Sequence, residues 1–472
     1  MGNEEDDGKD TAHGQYQAPT LLRRTPGISV FCDGFGIVAY DVNPDGSLTR
    51  VNTAPVRGMW MMSGVLYAVV GNSLFKVSNT GIVTNLGGYI SGKGRVHMSD
   101  NGYCLVIIIP NTNIGYTYDV GSNTVKQITD PIFLTLGAKN LGYIDSYIVF
   151  LAMNGKEFYN CESQVVSGSG PIVFAGGTEF PREFGTDPFV GMAIDHRAIV
   201  MFGQLSSEIF YDAGNTVGSP FSSAPNNYME IGCINGETIA KQDQTIFWVA
   251  NDRTVRKKDN STPIRVSNHA IESILETADL SDAYALTYSL GGHLYYCLTM
   301  PAMKRTLVYD CTSEQWHEQG TLETGYWRPF CTINAYGYQL VGDSLNGAIG
   351  KLDTTVFTEF GDPKVVQWTF QPIYSNHDRV RHQRFEMVMG TGEGTVTGQG
   401  VNPKITLEIS DDGGNTFRAM PLKSLGALGH RQTRAVWWRL GMSRQRVYRV
   451  TVSDPVQAWI VDAQVEVLMA KH

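Results

Sequence analysis

The sequence predicts an all-β protein: a β-propeller of about seven four-stranded blades, followed by a C-terminal β-sandwich-like platform domain. One pattern recurs seven times between about residues 58 and 355: an apolar strand, a tight turn, a second apolar strand and a polar loop. The copies lie roughly 40–50 residues apart, which is the spacing typical of propeller blades. Several end in an apolar residue followed by aspartate, as in Tyr118-Asp119 and Tyr309-Asp310.

The propeller is expected to span residues 58–360. The clearest copies are Val65–Val77 and His293–Asp310. The others are centred on Leu105, Ile148, Ile199, Phe247 and Leu340. Some strands, such as Val106–Ile109, are apolar on both faces, which indicates sheets covered on both sides by neighbouring blades. One helix is expected after the cap Ser267-Asn268, because Ala270, Ile271, Ile274 and Leu275 follow at helical spacing.

The two ends of the chain differ from the repeats. Residues 1–20 are polar and begin with an acidic run, Glu4 to Asp7, so they are expected to form a disordered arm. Short strands follow in residues 21–57. They either close the propeller ring or belong to the platform, and both alternatives stay open. Beyond Gly361-Asp362-Pro363 the strand spacing changes and predicts a β-sandwich over residues 365–472.

The charge is unevenly distributed. Residues 374–472 hold 13 Lys+Arg and 9 Asp+Glu, a net charge of +4. The rest of the chain therefore holds 37 − 13 = 24 basic and 46 − 9 = 37 acidic residues, a net charge of −13. An acidic propeller is a poor ligand for nucleic acid, because DNA binding requires neutralisation of phosphates. An acidic surface is suited to a protein along which DNA passes without binding.

Several classes of function lack the residues they need. No apolar run approaches the ~20 residues of a membrane span, so no stable membrane insertion is expected. The seven cysteines form no Cys-x-x-Cys pair and are expected to be buried free thiols. We find no phosphate-binding glycine loop, no Gly-x-Ser-x-Gly and no short His/Cys spacing for zinc. No cofactor, metal or catalytic residue is therefore predicted, and Trp316-His317-Glu318 and His293 are interpreted as structural.

One motif is assigned residue by residue. The segment 410–417 matches the S-x-D-x-G-x-T-F "Asp box" of sialidase propellers, where this hairpin lies away from the chemistry. Its Asp can accept backbone N–H bonds, and its glycines permit positive φ. It is predicted to be a structural turn made by Ser410, Asp412, Gly414, Thr416 and Phe417. A glycosidase would also need two facing carboxylates or an equivalent nucleophile pair, and none can be nominated.

Several strings resemble the tail hub, or nozzle, proteins of short-tailed bacteriophages (podovirus type), which are also called packaged-DNA stabilisation proteins. The similarity is collinear from about residue 21 to the end. It rests on strings that include Pro55–Met59, Val65–Gly71, Val96–Gly102, Ser206–Phe210, Gly291–Tyr296, Leu407–Gly414 and Trp437–Gly441.

The resemblance implies a structural protein of the virion tail, not an enzyme, assembled in the cytoplasm of the bacterial host. It implies a homo-hexamer below the portal and head-to-tail adaptor protein that extends the DNA channel, retains packaged DNA and conducts it at ejection. The implied partners are that adaptor, tail fibres or spikes, and a needle or plug protein. Viral DNA would pass through the lumen without sequence-specific binding. The alternatives are a sialidase-like glycosidase, motivated by the Asp box, and a glycan-binding propeller.

Overall fold

A computed structural model describes residues 27–30, 40–42, 48–50, 54–161, 172–174, 176–321, 324–374 and 378–469. The arm predicted over residues 1–20 lies outside this set. The described chain forms two compact units: residues 26–316 with 323–354, and residues 317–322 with 355–472. The predicted fold class is confirmed, because the chain forms four-stranded antiparallel sheets followed by a β-sandwich.

Three short strands precede the repeats: β1 (Gly27–Val30), β2 (Tyr40–Val42) and β3 (Leu48–Arg50). β2 and β3 pair antiparallel on either side of Asn43-Pro44-Asp45-Gly46.

Six four-stranded sheets follow, each with its strands in chain order. The first two sheets comprise β4 (Val56–Met62), β5 (Val65–Val70), β6 (Ser73–Val77), β7 (Val83–Gly87), β8 (His97–Asp100), β9 (Cys104–Ile108), β10 (Gly115–Asp119) and β11 (Thr124–Gln127). The third and fourth comprise β12 (Asn140–Ile144), β13 (Tyr147–Leu151), β14 (Glu157–Asn160), β15 (Phe180–Pro181), β16 (Phe189–Asp195), β17 (Ala198–Gly203), β18 (Ser207–Asp212) and β19 (Phe221–Met229). The fifth and sixth comprise β20 (Ala240–Gln242), β21 (Thr245–Val249), β22 (Val255–Asp259), β23 (Thr262–Arg265), β24 (Tyr284–Leu290), β25 (His293–Met300), β26 (Arg305–Asp310) and β27 (Gln315–Gln319).

Helices occur only in connections between described sheets. Helix α1 (Pro131–Leu136) lies between the second and third sheets, and a 3₁₀ turn, Gly236–Thr238, precedes the fifth. Helix α2 (His269–Thr277) is the helix predicted from the sequence: Asn268 caps it, and Ile271 and Leu275 are its buried residues. Within the described residues, no helix is long and apolar enough to cross a membrane.

The seventh sheet closes the ring. Its strands β28 (Pro329–Ala335), β29 (Tyr338–Asp343) and β30 (Ile349–Asp353) are completed by β1 from the other end of the chain. β1 runs antiparallel to β30, with Gly27 opposite Asp353. The N-terminal strand is therefore the outer strand of the last sheet, and a chain segment more than 300 residues away in sequence holds it there.

The hydrophobic cores lie between consecutive sheets. One cluster joins Tyr67 and Val69 of the first sheet to Leu105 and Ile107 of the second, and further clusters join later sheets pairwise. All five residues of β9 are buried, which confirms that strands apolar on both faces are covered on both faces. Dispersion and apolar burial between neighbours therefore hold the ring together.

The first and seventh sheets meet in the same way. Val56, Leu66 and Phe75 of the first sheet share one buried cluster with Cys331 and Leu340 of the seventh. Tyr336, in the turn after β28, adds two polar contacts to this junction. Its hydroxyl accepts a hydrogen bond from Leu66 N (2.8 Å) and donates one to Val77 O (2.7 Å).

The second unit is a two-sheet sandwich. A short hairpin, β31 (Thr358–Glu359) and β32 (Asp362–Pro363), lies at the point where the strand spacing changes in the sequence. One sheet has six strands: β33 (Val366–Thr369), β34 (Ile373–Tyr374), β36 (Lys404–Ser410), β37 (Arg418–Ala419), β38 (Lys423–Ser424) and β40 (Gln445–Val452). The other is ordered β39-β35-β41 and contains β35 (Val380–Met389), β39 (Ala435–Ser443) and β41 (Ile460–Met469). Phe385, Leu407, Trp437 and Tyr448 share the core between them.

The junction of the first and seventh sheets gives a stability prediction. Tyr336→Phe removes a hydroxyl that serves two backbone groups, so we expect a loss of about 1–3 kcal/mol in the free energy of unfolding. Tyr103→Phe is the matched control, since Tyr103 is 53% exposed, and it should change stability by less than ~0.5 kcal/mol. Denaturant unfolding measures both. Equal stabilities of the two variants would show that the hydroxyl does not secure the junction.

Candidate functional site

The inner strands of the seven sheets surround a cavity of about 560 Å³ on the axis of the propeller. Every sheet contributes to its lining, including Trp60, His97, Tyr143, Ile194, Lys241, Leu286 and Thr332. This volume would hold a small molecule, because ligand pockets span roughly 300–1,000 Å³. It is far too small for a DNA duplex.

A charged cluster crosses the axis at the end where the inner strands begin. Arg95 precedes β8 of the second sheet, and its Nη1 lies 3.2 Å from Oε2 of Glu237, which precedes the fifth sheet. His97 Nε2 contacts the other oxygen of Glu237 at 2.9 Å. The Arg95 guanidinium also lies 5.0 Å from the Tyr284 ring centroid and 5.9 Å from that of Phe330, in the sixth and seventh sheets. Arg95 therefore bridges opposite sides of the ring.

The cluster keeps Glu237 ionised. Burial alone would raise the pKa of Glu237, but attraction to His97, its hydrogen bond and the charge of Arg95 outweigh burial and lower the pKa from 4.5 to about 2. Arg95 and Glu237 are 142 residues apart, so sequence analysis had no spacing signal to connect them. None of these residues was predicted from the sequence to form a site.

A buried cation, Arg57, ties the first two sheets together. The Arg57 side chain donates to four backbone carbonyls: Gly94, Gly71, Ile90 and Ser91. Burial lowers its pKa from 12.5 to about 10, so it stays charged at neutral pH. Beside it, a Cβ on Gly58 would lie 2.7 Å from Val96 Cγ2, so only glycine allows the two inner strands to approach this closely. The segment Pro55–Met59, one of the strings of the phage resemblance, is thus a structural junction.

Carboxylates collect at one end of the sheets. In a four-stranded antiparallel sheet the first and third turns lie at the same end. At the first turns lie Asp100, Asp145, Asp195 and Asp243, and at the ends of third strands lie Asp119, Asp212, Asp259, Asp310 and Asp353. We call these nine residues the acidic end of the propeller.

Some of these carboxylates are balanced locally. Asp195 contacts Lys258 Nζ at 2.7 Å and Lys241 Nζ at 3.3 Å, and Arg197 contacts Asp145 at 3.1 Å. Others cap their own turns, as Asp212 does by accepting from Gly214 N at 2.8 Å. Turn geometry thus accounts for aspartate at these positions, and the repeated placement makes this end acidic.

The structure brings the five Asp-box residues together at the hairpin turn between β36 and β37, in the sandwich, with Ser410 buried and Asp412 and Thr416 exposed. Asp412 accepts from Asn415 N (3.0 Å) and Thr416 N (2.9 Å), and Ser410 Oγ donates to it at 2.6 Å. Gly414 N donates to Ser410 Oγ at 2.9 Å. Hydrogen bonds from Ser410 and then Thr416 hold the pKa of Asp412 well below its usual range. Phe417 lies under Arg449, whose guanidinium carbon is 3.7 Å from the ring centroid. The carboxylate is thus occupied by its own turn.

A buried polar group lies beside the Asp box. Arg446 donates from Nε to Asp411 (2.6 Å) and from Nη1 to Leu440 O (2.6 Å). His382 is 1% exposed, and its ring nitrogens contact Tyr448 Oη (2.7 Å) and Ser443 Oγ (3.0 Å). Burial, reinforced by Arg446, lowers the pKa of His382 from 6.5 to about 4. The neutral imidazole is therefore the form that the sandwich accommodates.

The two other candidates considered in the sequence, His293 and Trp316-His317-Glu318, lie within strands of the propeller sheets. His293 begins β25, and its Nδ1 lies 2.7 Å from Asp310 Oδ2. Trp316-His317-Glu318 lies within β27, and Trp316 Nε1 donates to Val266 O at 2.9 Å. Within the described part of the chain, no group of three His, Cys, Asp or Glu residues is placed to hold a metal ion.

Two family models match the chain, one to each unit. The model described as bacteriophage P22 Gp10, β-propeller, matches residues 17–357, and the model described as bacteriophage P22 Gp10, β-sandwich, matches residues 367–468. This chain belongs to the bacteriophage P22 Gp10 family. The family is that of the tail hub, or nozzle, protein that stabilises packaged DNA. The resemblance inferred from the sequence is confirmed, and the chain is a structural component of a phage tail.

Apart from the family models, the similarities to known proteins are weak. No curated protein matches the chain. Among solved structures, the extracellular domain of the two-component system BT4673 from B. thetaiotaomicron shares 9% identity at a TM-score of 0.43, over 84% of this chain and 47% of that one. PorZ of the Porphyromonas gingivalis type-IX secretion system shares 11% identity at a TM-score of 0.38, over 78% of this chain and 45% of that one. The chain thus spans less than half the length of these two proteins.

The axial cluster gives a stability prediction for this Gp10-family chain. Glu237→Gln leaves Arg95 without its counter-charge, and we expect the free energy of unfolding to fall by about 1–3 kcal/mol. This is less than the roughly 3–5 kcal/mol typical of breaking a fully buried pair, because both side chains keep some exposure. The double variant Arg95→Met/Glu237→Leu should recover much of that loss. Denaturant unfolding of the variants measures the effect. A double variant less stable than Glu237→Gln would contradict a mutually compensating pair.

His382 gives a pH prediction. Its pKa in the folded chain, about 4, lies below the 6.5 of an unfolded histidine, so the unfolded chain binds the proton first as pH falls. The contribution of the neutral His382 to the free energy of unfolding is fully present above pH ~6.5. It falls by on the order of 3 kcal/mol as the pH is lowered to ~4. His382→Gln should flatten the pH dependence of unfolding in this window, measured by calorimetry. The exposed control His430→Gln should not, and an unchanged slope for His382→Gln would exclude His382 as its source.

Proposed function

We propose that the chain forms a hexameric tail hub that extends the DNA channel below the portal and adaptor, retains packaged DNA and conducts it at ejection. The assignment of both units to the Gp10 family supports this role. The hub would also anchor tail fibres or spikes and a needle or plug protein, and it would assemble in the host cytoplasm.

The observation that carries the channel proposal is the narrowness of the cavity on the propeller axis. A cavity of about 560 Å³, lined in part by Arg95, which contacts Glu237, leaves no path for a duplex through a single propeller. DNA conducted by this protein would therefore move along an axis shared by several copies. Head-to-tail contacts that close on themselves give a ring of fixed size, which is how cyclic assemblies terminate.

The acidic end of the propeller supports the electrostatic part of the proposal. Carboxylates repel the phosphate backbone, so an acidic wall would let DNA slide without being retained by side-chain contacts. The surface that lines the shared channel should therefore carry more acidic than basic side chains.

The geometry offers the glycosidase alternative little support. The Asp box, the motif that suggested it, lies in the sandwich, and its carboxylate accepts hydrogen bonds from its own turn. The role we propose is non-enzymatic. Turnover of sialyl or polysaccharide substrates by the purified chain would contradict it, and retention on a glycan array would favour the binding alternative.

The assembly itself is tested by mass and symmetry. Light scattering of the purified full chain, with or without its adaptor ring, should give a particle of six copies. Electron-microscopic class averages should then show six-fold rotational symmetry. A chain that stays monomeric in the presence of the adaptor, or a particle of another symmetry, would overturn the hexameric hub.

A further inference from the structure

The outer face of the three-stranded sandwich sheet carries a concave surface unrelated to the propeller axis. Arg381, Gln383, Trp438 and Arg439 line a concavity of about 570 Å³. We call these four residues the arginine–tryptophan pocket. They lie on the adjacent strands β35 and β39, so the sheet itself fixes their spacing.

An irregularity in the sheet turns the pocket residues outward. The register between β35 and β39 shifts between His382 and Arg384, and Arg439 has a φ of 59°. A non-glycine residue in this region is uncommon, and β-bulges of this kind redirect side chains. As a result, Trp438 and Arg439 are both exposed although they are consecutive, and Trp438 is 60% exposed.

The charges around Trp438 are not all balanced. Arg384 lies 5.5 Å from the Trp438 ring centroid, but Glu386 (3.4 Å) and Glu466 (3.6 Å) compensate its charge. Among the described residues, neither Arg381 nor Arg439 makes an ion pair. Two uncompensated guanidinium groups beside an exposed indole favour a ligand rich in carboxylates, which arginine binds through paired N–H donors.

The chain contains a segment with this chemistry. Residues 1–10 hold five carboxylates, Glu4, Glu5, Asp6, Asp7 and Asp10, against a single basic side chain, Lys9. Glu4–Asp7 is the longest unbroken acidic run in the sequence, and it lies outside the described residues. Nineteen residues lie between Asp7 and Gly27, where the first strand begins, and an extended chain over these 20 Cα–Cα steps reaches about 65–70 Å.

We propose that the acidic N-terminal segment Glu4–Asp7 binds in the arginine–tryptophan pocket of its own chain. Tethering gives the segment an effective concentration on the order of millimolar, which a free acidic partner must exceed to compete. Single-stranded nucleic acid is a weaker fit, because proteins that hold it use a long basic groove with several stacked aromatics. The pocket has one aromatic side chain and two uncompensated arginines. The contact should weaken with salt, since it is an exposed charge interaction.

Arginine-specific labelling of the full chain tests the proposal. Phenylglyoxal modification of Arg439 and Arg381 is followed by peptide mass spectrometry in the natural chain and in the variant Glu4→Gln/Glu5→Gln/Asp6→Asn/Asp7→Asn. Both arginines should react about five-fold faster in the variant, a factor equivalent to ~1 kcal/mol of protection. Arg418, on the other sheet and 63% exposed, serves as the internal control and should react equally in both.

A coupling experiment identifies the occupant directly. Arg439→Lys keeps the positive charge and supplies an amine that carbodiimide can join to a carboxylate in contact with it. We expect a cross-link from position 439 to the peptide containing Glu4–Asp7, and none from the control Arg418→Lys. Equal labelling rates in the two chains, or coupling of position 439 only to other carboxylates, would overturn the proposal. Protection of Arg439 by an added oligonucleotide, with no effect of neutralising the segment, would assign the pocket to nucleic acid instead.

Discussion

Closure of the propeller ring is the constraint on which the rest of the structure depends. Each sheet buries both faces against its neighbours, so a missing junction would expose two apolar surfaces. The junction between the first and seventh sheets contains Val56, Leu66 and Leu340, and β1 completes the seventh sheet from the opposite end of the chain. Closure thus joins local hairpins into one cooperative unit. It costs conformational entropy, because segments very distant in sequence must be brought together.

A closed ring with a small axial cavity places limits on function. Neighbouring inner strands approach so closely that glycine is required at points such as Gly58. The axial cavity measures only about 560 Å³, and Arg95, which lines it, contacts Glu237 from the opposite side of the ring. The axis of a single propeller therefore offers no passage wide enough for a DNA duplex. In the tail hub that we propose, conduction of DNA would therefore depend on how the copies are arranged around a shared axis.

The sequence predicted what is local and repeated. Strand alternation, the helix capped by Asn268 and the Asp-box turn each depend on neighbours a few residues apart, so their patterns are visible in one dimension. The role of Gly27–Val30 could not be decided, because its partner β30 lies at the other end of the repeats. The same reason explains why Arg95, Glu237 and the buried His382 were not predicted. Their important contacts are tertiary, and no local sequence pattern distinguishes any of the three.

The most direct test of the account is a density map of the assembled tail with DNA in place. We predict continuous DNA density on an axis shared by six chains, with each propeller axis closed by the contact between Arg95 and Glu237 and with acidic side chains facing the DNA. DNA density inside a single propeller, or a shared channel lined mainly by basic side chains, would contradict the account.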